Sequence, residues 1–107
     1  MQFPDLTFLE PWHGPPGNTS ALEKELVLEV SRGHPLFGRK MRAVAQRQDN
    51  DDVLFVSEDG LQEIVAVVHL TWSLRAEVDP QLPRTVRFDS VEAWVERGMM
   101  VDHGEFV

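Results

Sequence analysis

The segment that most constrains the fold is the alternating run from residue 62 to residue 72. Its even-numbered positions are all apolar: Ile64, Ala66, Val68, Leu70 and Trp72. Its odd-numbered positions are only half polar: Val65, Val67, His69 and Thr71. Successive side chains of a strand point to opposite faces of the sheet. The run therefore predicts a central strand that must be covered on both faces.

Two further segments have strand character and precede this run. Residues 39–48 alternate between apolar and polar side chains, and residues 53–56 form a short apolar run. Polar turns separate the segments, so the connections are short enough for hairpins. The pattern predicts an antiparallel meander of three strands, with residues 85–88 as a candidate fourth strand.

Two helices flank the predicted sheet. Ser20 and Glu23 match a capping box, and Gly33 followed by Pro35 is typical of a helix end. We expect Leu22, Leu26 and Val30 to face the core, with Glu25, Glu29 and the other charged residues largely on the opposite side.

The second helix begins at Asp89 or Ser90, where another capping box occurs, and we expect it to end at Gly98. Its inner residues, Val91 and Trp94, would join the first helix on one face of the sheet. Leu22, Leu26 and Val30 would then meet Ile64, Val68, Leu70, Trp72, Val91 and Trp94.

The length of 107 residues fits one α+β domain spanning 1–107. Its first 18 residues form an arm and a loop. Residues 1–12 contain five large apolar side chains interrupted by two prolines, so we expect this arm to pack on the domain. The predicted order is arm, helix, three- to four-stranded antiparallel meander and C-terminal helix.

Composition excludes several classes of function. The net charge of −8 argues against nucleic acid and against an anionic membrane surface. The absence of cysteine excludes disulfides and thiolate metal sites. No apolar run is long enough to span a bilayer, and the N-terminus lacks the basic segment of a signal peptide. We therefore expect a cytoplasmic protein.

No motif for a metal or a cofactor is present. Residues 49–52 are acidic, but a calcium loop starting at Asp49 would need glycine at position 54 and glutamate at position 60, where Leu54 and Gly60 stand. The four histidines lack the spacing of a helical metal site. We expect no metal, no cofactor and no assigned catalytic residue.

The half-polar side of the central strand is the candidate functional surface, together with the charged connection that follows it. Its residues are Val65, Val67, His69, Thr71, Arg75 and Glu77. Because exposed valines on a central strand are unfavourable, the arm, a second copy or a partner should cover this face.

Two functions remain open at this point. The first is an acidic, non-enzymatic protein-binding module, immunity- or antitoxin-like, that binds a protein partner or forms a homodimer. The alternative is a small hydrolase or ligand-binding enzyme that uses His69 with a nearby carboxylate such as Glu77.

Three strings carry a resemblance: Gly33-His34-Pro35-Leu36, then residues 51–55 (DDVLF), and then residues 67–73 (VVHLTWS). Together they resemble a family of small uncharacterised bacterial proteins, over roughly residues 33–95. The resemblance implies a free-standing bacterial protein and no particular chemistry. This chain has Leu74 after the last string, where the family has a small residue.

Overall fold

A computed structural model describes residues 7–14, 16–58 and 63–106 of the chain. Within these ranges, five antiparallel strands form one sheet in which every strand pairs with its neighbour in sequence. The strands are β1 (Trp12–His13), β2 (Met41–Arg47), β3 (Asp52–Ser57), β4 (Val65–His69) and β5 (Arg84–Phe88). The helices are α1 (Thr19–Glu29), α2 (Val91–Trp94) and α3 (Met100–Phe106), and a π-helical turn (Val95–Met99) joins the last two.

The α+β class and the antiparallel meander are confirmed, but the sheet has five strands rather than three or four. Residues 84–88 form the candidate fourth strand of the prediction. The additional strand, β1, comes from the arm. Its two residues are too few to show an alternating pattern, and Trp12 pairs with Arg47 at the edge of β2.

Helix α1 covers one side of the sheet, which we call the α1 face. Leu22, Leu26 and Val30 are buried there, as the helical spacing predicts. The rest of this cluster is Leu36, Met41, Ala43, Val53, Phe55, Ile64, Ala66, Val68 and Leu70. The even-numbered side of β4 therefore packs on α1.

The opposite side, which we call the α2 face, is covered by the arm and the C-terminal helices. Trp12 and Trp94 meet edge to face there, with ring centroids 5.3 Å apart. Val65 of β4 is fully buried in the same cluster. The prediction that both helices share one face is wrong. Since α1 already fills the α1 face, the second apolar side of β4 is covered by α2 instead.

The described part of the arm packs as expected. Trp12 is buried, and Phe8 and Leu9 are partly buried against the cluster of the α2 face. The indole N–H of Trp12 donates to Asp102 over 2.8 Å, which ties the arm to α3. Residues 1–6 lie outside the described residues.

Helix α1 begins and ends differently from the prediction. Its N-cap is Asn18, so Ser20 lies within the helix, and Glu23 accepts the backbone N–H of Ala43 over 2.9 Å instead of closing a capping box. The helix ends at Glu29, before Gly33. Gly33 has a packing role, because a Cβ there would lie 2.8 Å from the ring of Pro80.

The second helix begins at one of its two predicted caps, since Ser90 accepts the N–H of Ala93 over 3.0 Å, but the cap is not the box predicted from Asp89 and Glu92. It does not end at Gly98, which lies in the π-helical turn. A Cβ at Gly98 would lie 2.6 Å from the indole Cδ1 of Trp94, so glycine lets the ring lie against the turn. No helix among the described residues is long and apolar enough to cross a membrane.

Candidate functional site

The strand β4 ends at His69. The side chain of this histidine contacts β3 and not the connection that follows β4. Its Nδ1 lies 2.8 Å from Oδ1 of Asp52, its cross-strand neighbour. Arg84 is its neighbour on the other side, in β5. About half of the His69 side chain is exposed. A carboxylate that orients an imidazole is an arrangement found in acid–base catalysis, but it is equally a cross-strand ion pair.

The carboxylate expected beside His69 is engaged elsewhere. Glu77 accepts a hydrogen bond from the hydroxyl of Thr71 over 2.7 Å. Thr71 and Glu77 thus close one end of the connection, whereas His69 and Asp52 belong to the sheet. None of the described hydrogen bonds joins His69 to Glu77.

The connection after β4, residues 70–79, has an unusual backbone. We call it the β4–β5 loop. Trp72 and Leu74 adopt the left-handed region, with φ values of 57° and 63°. A residue with a Cβ pays about 1–2 kcal/mol for this conformation. The surroundings must therefore supply interactions that hold the loop in this shape.

Two glutamates of α1 supply those interactions. The carboxylate oxygens of Glu29 accept the backbone N–H groups of Thr71 and Trp72 over 2.8 Å and 2.7 Å. Glu25 accepts the N–H of Leu74 over 3.1 Å. Both carboxyl groups are buried, at 2% exposure for Glu25 and 0% for Glu29. We call these two residues the glutamate pair.

The main chain of Glu29 also holds the loop. Its carbonyl is one of the last in α1 and lacks a partner within the helix. The N–H of Glu77 donates to it over 2.9 Å. The end of α1 and the β4–β5 loop are thus joined by both side-chain and backbone hydrogen bonds.

The environment of the glutamate pair alters its protonation. Burial, and then the hydrogen bond with Glu25, raise the pKa of Glu29 to about 7. The donors of Thr71 and Trp72 act in the opposite direction, because they favour the ionised form. Desolvation outweighs them, so Glu29 retains its proton to a pH well above the range in which a carboxyl group usually ionises.

The loop exposes large apolar side chains. Trp72 is 41% exposed, Leu74 is 67% exposed and Val78 is fully exposed. The prediction that Trp72 continues the buried side of the strand is wrong. The strand ends at His69, and capture of the following N–H groups by Glu29 turns the chain outward.

Trp72 lies beside a polar cleft of about 200 Å³ whose lining includes Asp51, Asp52 and Arg47. Arg47 forms a two-bond contact with Asp49, with both distances 2.8 Å, and lies 3.4 Å from Asp102. This pairing lowers the pKa of Asp49 and raises that of Arg47. Asp49 and Asp102 thus compensate the positive charge of Arg47.

The candidate surface residues separate into two groups. Val65 is buried and Val67 is partly buried on the α2 face, so the arm and C-terminal helices cover this part of the surface. The exposed members are His69, Thr71 and Arg75, with Glu77 half-buried. The accessible part of the predicted surface therefore lies mainly on the β4–β5 loop and not on the strand.

Sequence reasoning did not find the glutamate pair. A signal was present, because Glu25 and Glu29 lie three and seven positions after Leu22 and share its side of the helix. Their charge argued for exposure, while Val27 and Leu28 are in fact exposed. The described residues contain no group of three or more metal-ligating side chains.

Comparison with known proteins adds no family. No protein-family model matches the chain, and no curated protein or solved structure matches it.

Proposed function

We propose that this chain is a protein-binding module that binds a basic partner through the β4–β5 loop. One observation carries the proposal: Trp72 and Leu74 hold large apolar side chains in solvent, on a backbone fixed in left-handed conformations by buried carboxylates. Strained residues persist only where the surrounding structure maintains them, and they cluster at functional sites.

A fixed loop of this kind suits protein recognition. Tryptophan is enriched among the residues that contribute most binding energy at interfaces. A loop already held in its binding conformation loses less entropy on association. The hydrogen bonds to Glu25 and Glu29 supply that order before any partner arrives.

Charge supports a basic partner. The chain has a net charge of −8, and Asp51 and Asp52 line the cleft beside Trp72. A lysine or arginine of the partner could lie against the indole face while meeting these carboxylates. Complementary charge would also accelerate association at low salt. A second copy of this chain is a poorer fit, because it has the same negative charge.

An immunity- or antitoxin-like protein of the bacterial cytoplasm, acting against a basic protein, is the class that fits these features. The resemblance of the GHPL, DDVLF and VVHLTWS strings to small bacterial proteins belongs to the same proposal. An apolar anchor beside acidic side chains suits the binding of a basic protein, and Trp72 of the β4–β5 loop lies beside Asp51 and Asp52.

The test begins with capture from a lysate of the source organism and continues with the purified captured protein. Calorimetry would measure its binding to the wild type, to Leu74→Asp and to Val27→Asp. Val27 is 70% exposed on α1 and serves as a matched control away from the loop. We expect a basic partner whose affinity falls at least about tenfold with Leu74→Asp and is unchanged with Val27→Asp.

Three results would overturn the proposal. The first is equal loss of affinity in both variants, and the second is no partner that survives purification. The third is a Leu74-dependent homodimer in sedimentation equilibrium, which would replace the basic partner with a second copy. Binding should also weaken as salt is raised.

The enzyme alternative rests on His69 and its 2.8 Å contact with Asp52. It predicts hydrolysis of an activated ester such as p-nitrophenyl acetate, above the rate of free imidazole and abolished in His69→Asn. The binding proposal predicts that His69→Asn leaves affinity for the partner unchanged.

A further inference from the structure

The glutamate pair has a feature that binding alone does not require. Glu25 and Glu29 lie one helical turn apart on α1 and are almost fully buried, and the interaction with Glu25 contributes to the raised pKa of Glu29. Two carboxyl groups in such contact cannot both ionise without strong repulsion, so the pair holds one proton.

We propose that the glutamate pair is a proton-operated latch: while the pair holds one proton it fixes the β4–β5 loop, and loss of that proton to solvent frees the loop. The proposal rests on the proposed function in one respect, that the β4–β5 loop is the binding element. The latch itself concerns only the loop and α1.

The contacts explain why the loop would respond. The pair accepts three backbone N–H groups, those of Thr71, Trp72 and Leu74, within four residues. Two of these residues have the left-handed backbone. When both carboxyl groups are ionised, repulsion between them favours their separation and hydration. Separation would remove the acceptors that hold the left-handed residues.

Among the described residues, no basic side chain compensates the charge of Glu29. The influences on the pKa of Glu29 are burial, Glu25, and the donors of Thr71 and Trp72, and they include no basic side chain. From the loop, Glu77 donates its N–H to Glu29 and accepts from Thr71, while the side chain of Arg75 is exposed. After α1, His34 is buried against the carbonyl of Pro83 and the hydroxyl of Thr85.

The direction of the pH effect follows from linkage. The pKa of Glu29 is about 7 in the closed state and near its usual value of 4.5 once the side chain is hydrated. The closed loop is therefore most stable below pH 4.5 and becomes easier to open, about tenfold per pH unit, up to pH 7. Above pH 7 the effect levels off, after a total change of roughly 300-fold.

The experiment is amide hydrogen exchange by NMR on the wild-type chain without partner, from pH 5 to 8.5. Protection factors, corrected for intrinsic exchange, are compared for the amides of Thr71, Trp72 and Leu74. We expect them to fall as pH rises to 7 and to stay level above it. The amide of Leu54 in β3 serves as an internal control and should not follow this curve.

The variant Glu25→Gln is designed to hold the latch closed. The amide N–H of the substituted side chain would donate to Glu29, and its oxygen would still accept from Leu74, so no shared proton is needed. We expect loop protection that does not vary with pH. Glu29→Gln differs, because its amide nitrogen cannot accept from either Thr71 or Trp72, and we expect weaker protection at every pH.

Constant loop protection in the wild type across this range would overturn the latch, and so would an identical pH curve in Glu25→Gln. If the variants fail to fold, the wild-type series and a carboxyl ¹³C titration of Glu29 decide the matter alone. These measurements use no partner, whereas the binding proposal is tested by the affinity of Leu74→Asp for its partner. Failure of the latch is therefore distinct from failure of the binding proposal.

Discussion

The two faces of the sheet are both buried, yet they are built from different chemistry. On the α2 face, Trp12 and Trp94 pack edge to face among aliphatic side chains. On the α1 face, the helix brings two carboxyl groups, Glu25 and Glu29, to the edge of the apolar cluster. The first arrangement is mainly apolar packing, with one indole–carboxylate hydrogen bond from Trp12 to Asp102, whereas the second depends on hydrogen bonds to buried carboxyl groups.

In the proposed function, this difference separates the part of the molecule that gives stability from the part that binds. Apolar packing favours one arrangement and does not depend on pH. A buried carboxyl pair adds less to the free energy of unfolding, because its desolvation offsets its hydrogen bonds. Its geometry and protonation can instead determine the conformation of a loop that it contacts. The exposed apolar loop lies on the side of the carboxyl pair, and its backbone is bonded to that pair.

The largest expected effect tests the α2 face. Trp94 is fully buried and contacts Trp12 and Phe8, so Trp94→Ala should lower the free energy of unfolding by about 3–5 kcal/mol in urea denaturation. Trp72→Ala is the matched substitution on the loop, where the ring is 41% exposed, and it should have a clearly smaller effect. Equal losses would show that the two tryptophans have the same structural role.

A second prediction concerns pH and tests the α1 face. Because the pKa of Glu29 is raised in the folded state, its contribution to stability is present in full below pH 4.5 and declines as pH rises to about 7. The decline amounts to at most about 3 kcal/mol. Urea unfolding of the wild type and of Glu25→Gln at a series of pH values measures it, since the decline should be absent from the variant.

The smallest expected effect concerns backbone strain at Leu74. Leu74→Gly should stabilise the chain by about 0.5–1 kcal/mol, because glycine adopts the left-handed region without a Cβ penalty. Leu74→Ala removes the same exposed side chain but retains the Cβ, so it should not stabilise. Both variants should lose affinity for the partner. Lower stability in Leu74→Gly would show that the leucine side chain contributes more than its strain costs.

Much of the fold was predictable because apolar periodicity reports burial directly. The double apolar pattern of residues 64–70 correctly predicts a central strand covered on both sides, and Leu22, Leu26 and Val30 correctly predict the inner side of α1. Ser90 is confirmed as a helix cap. In each case a local pattern and the global fold favour the same structure.

The loop and its supports were not predictable for a related reason. Periodicity extends the strand to Trp72, since nothing in residues 70–72 signals a turn. The turn is imposed by Glu25 and Glu29, more than 40 residues earlier in the chain. The spacing of Glu25 and Glu29 from Leu22 places them on the inner side of α1, but their charge argues for exposure, because the backbone donors that compensate their burial are brought to them only by the tertiary structure.

The π-helical turn between α2 and α3 has a consequence for how the chain can vary. Such a turn accommodates one more residue than an α-helical turn, and each helical residue rotates the chain by about 100°. The position of Asp102 opposite Trp12 and Arg47 therefore depends on the number of residues between Trp94 and Met100. A single-residue insertion or deletion here would rotate α3 about its axis. Asp102 would then point away from Trp12 and Arg47, and the exposed side chains of α3 would change direction, while β2 to β5 stay paired as they are. The number of residues in this turn therefore sets which surface the C-terminal helix presents.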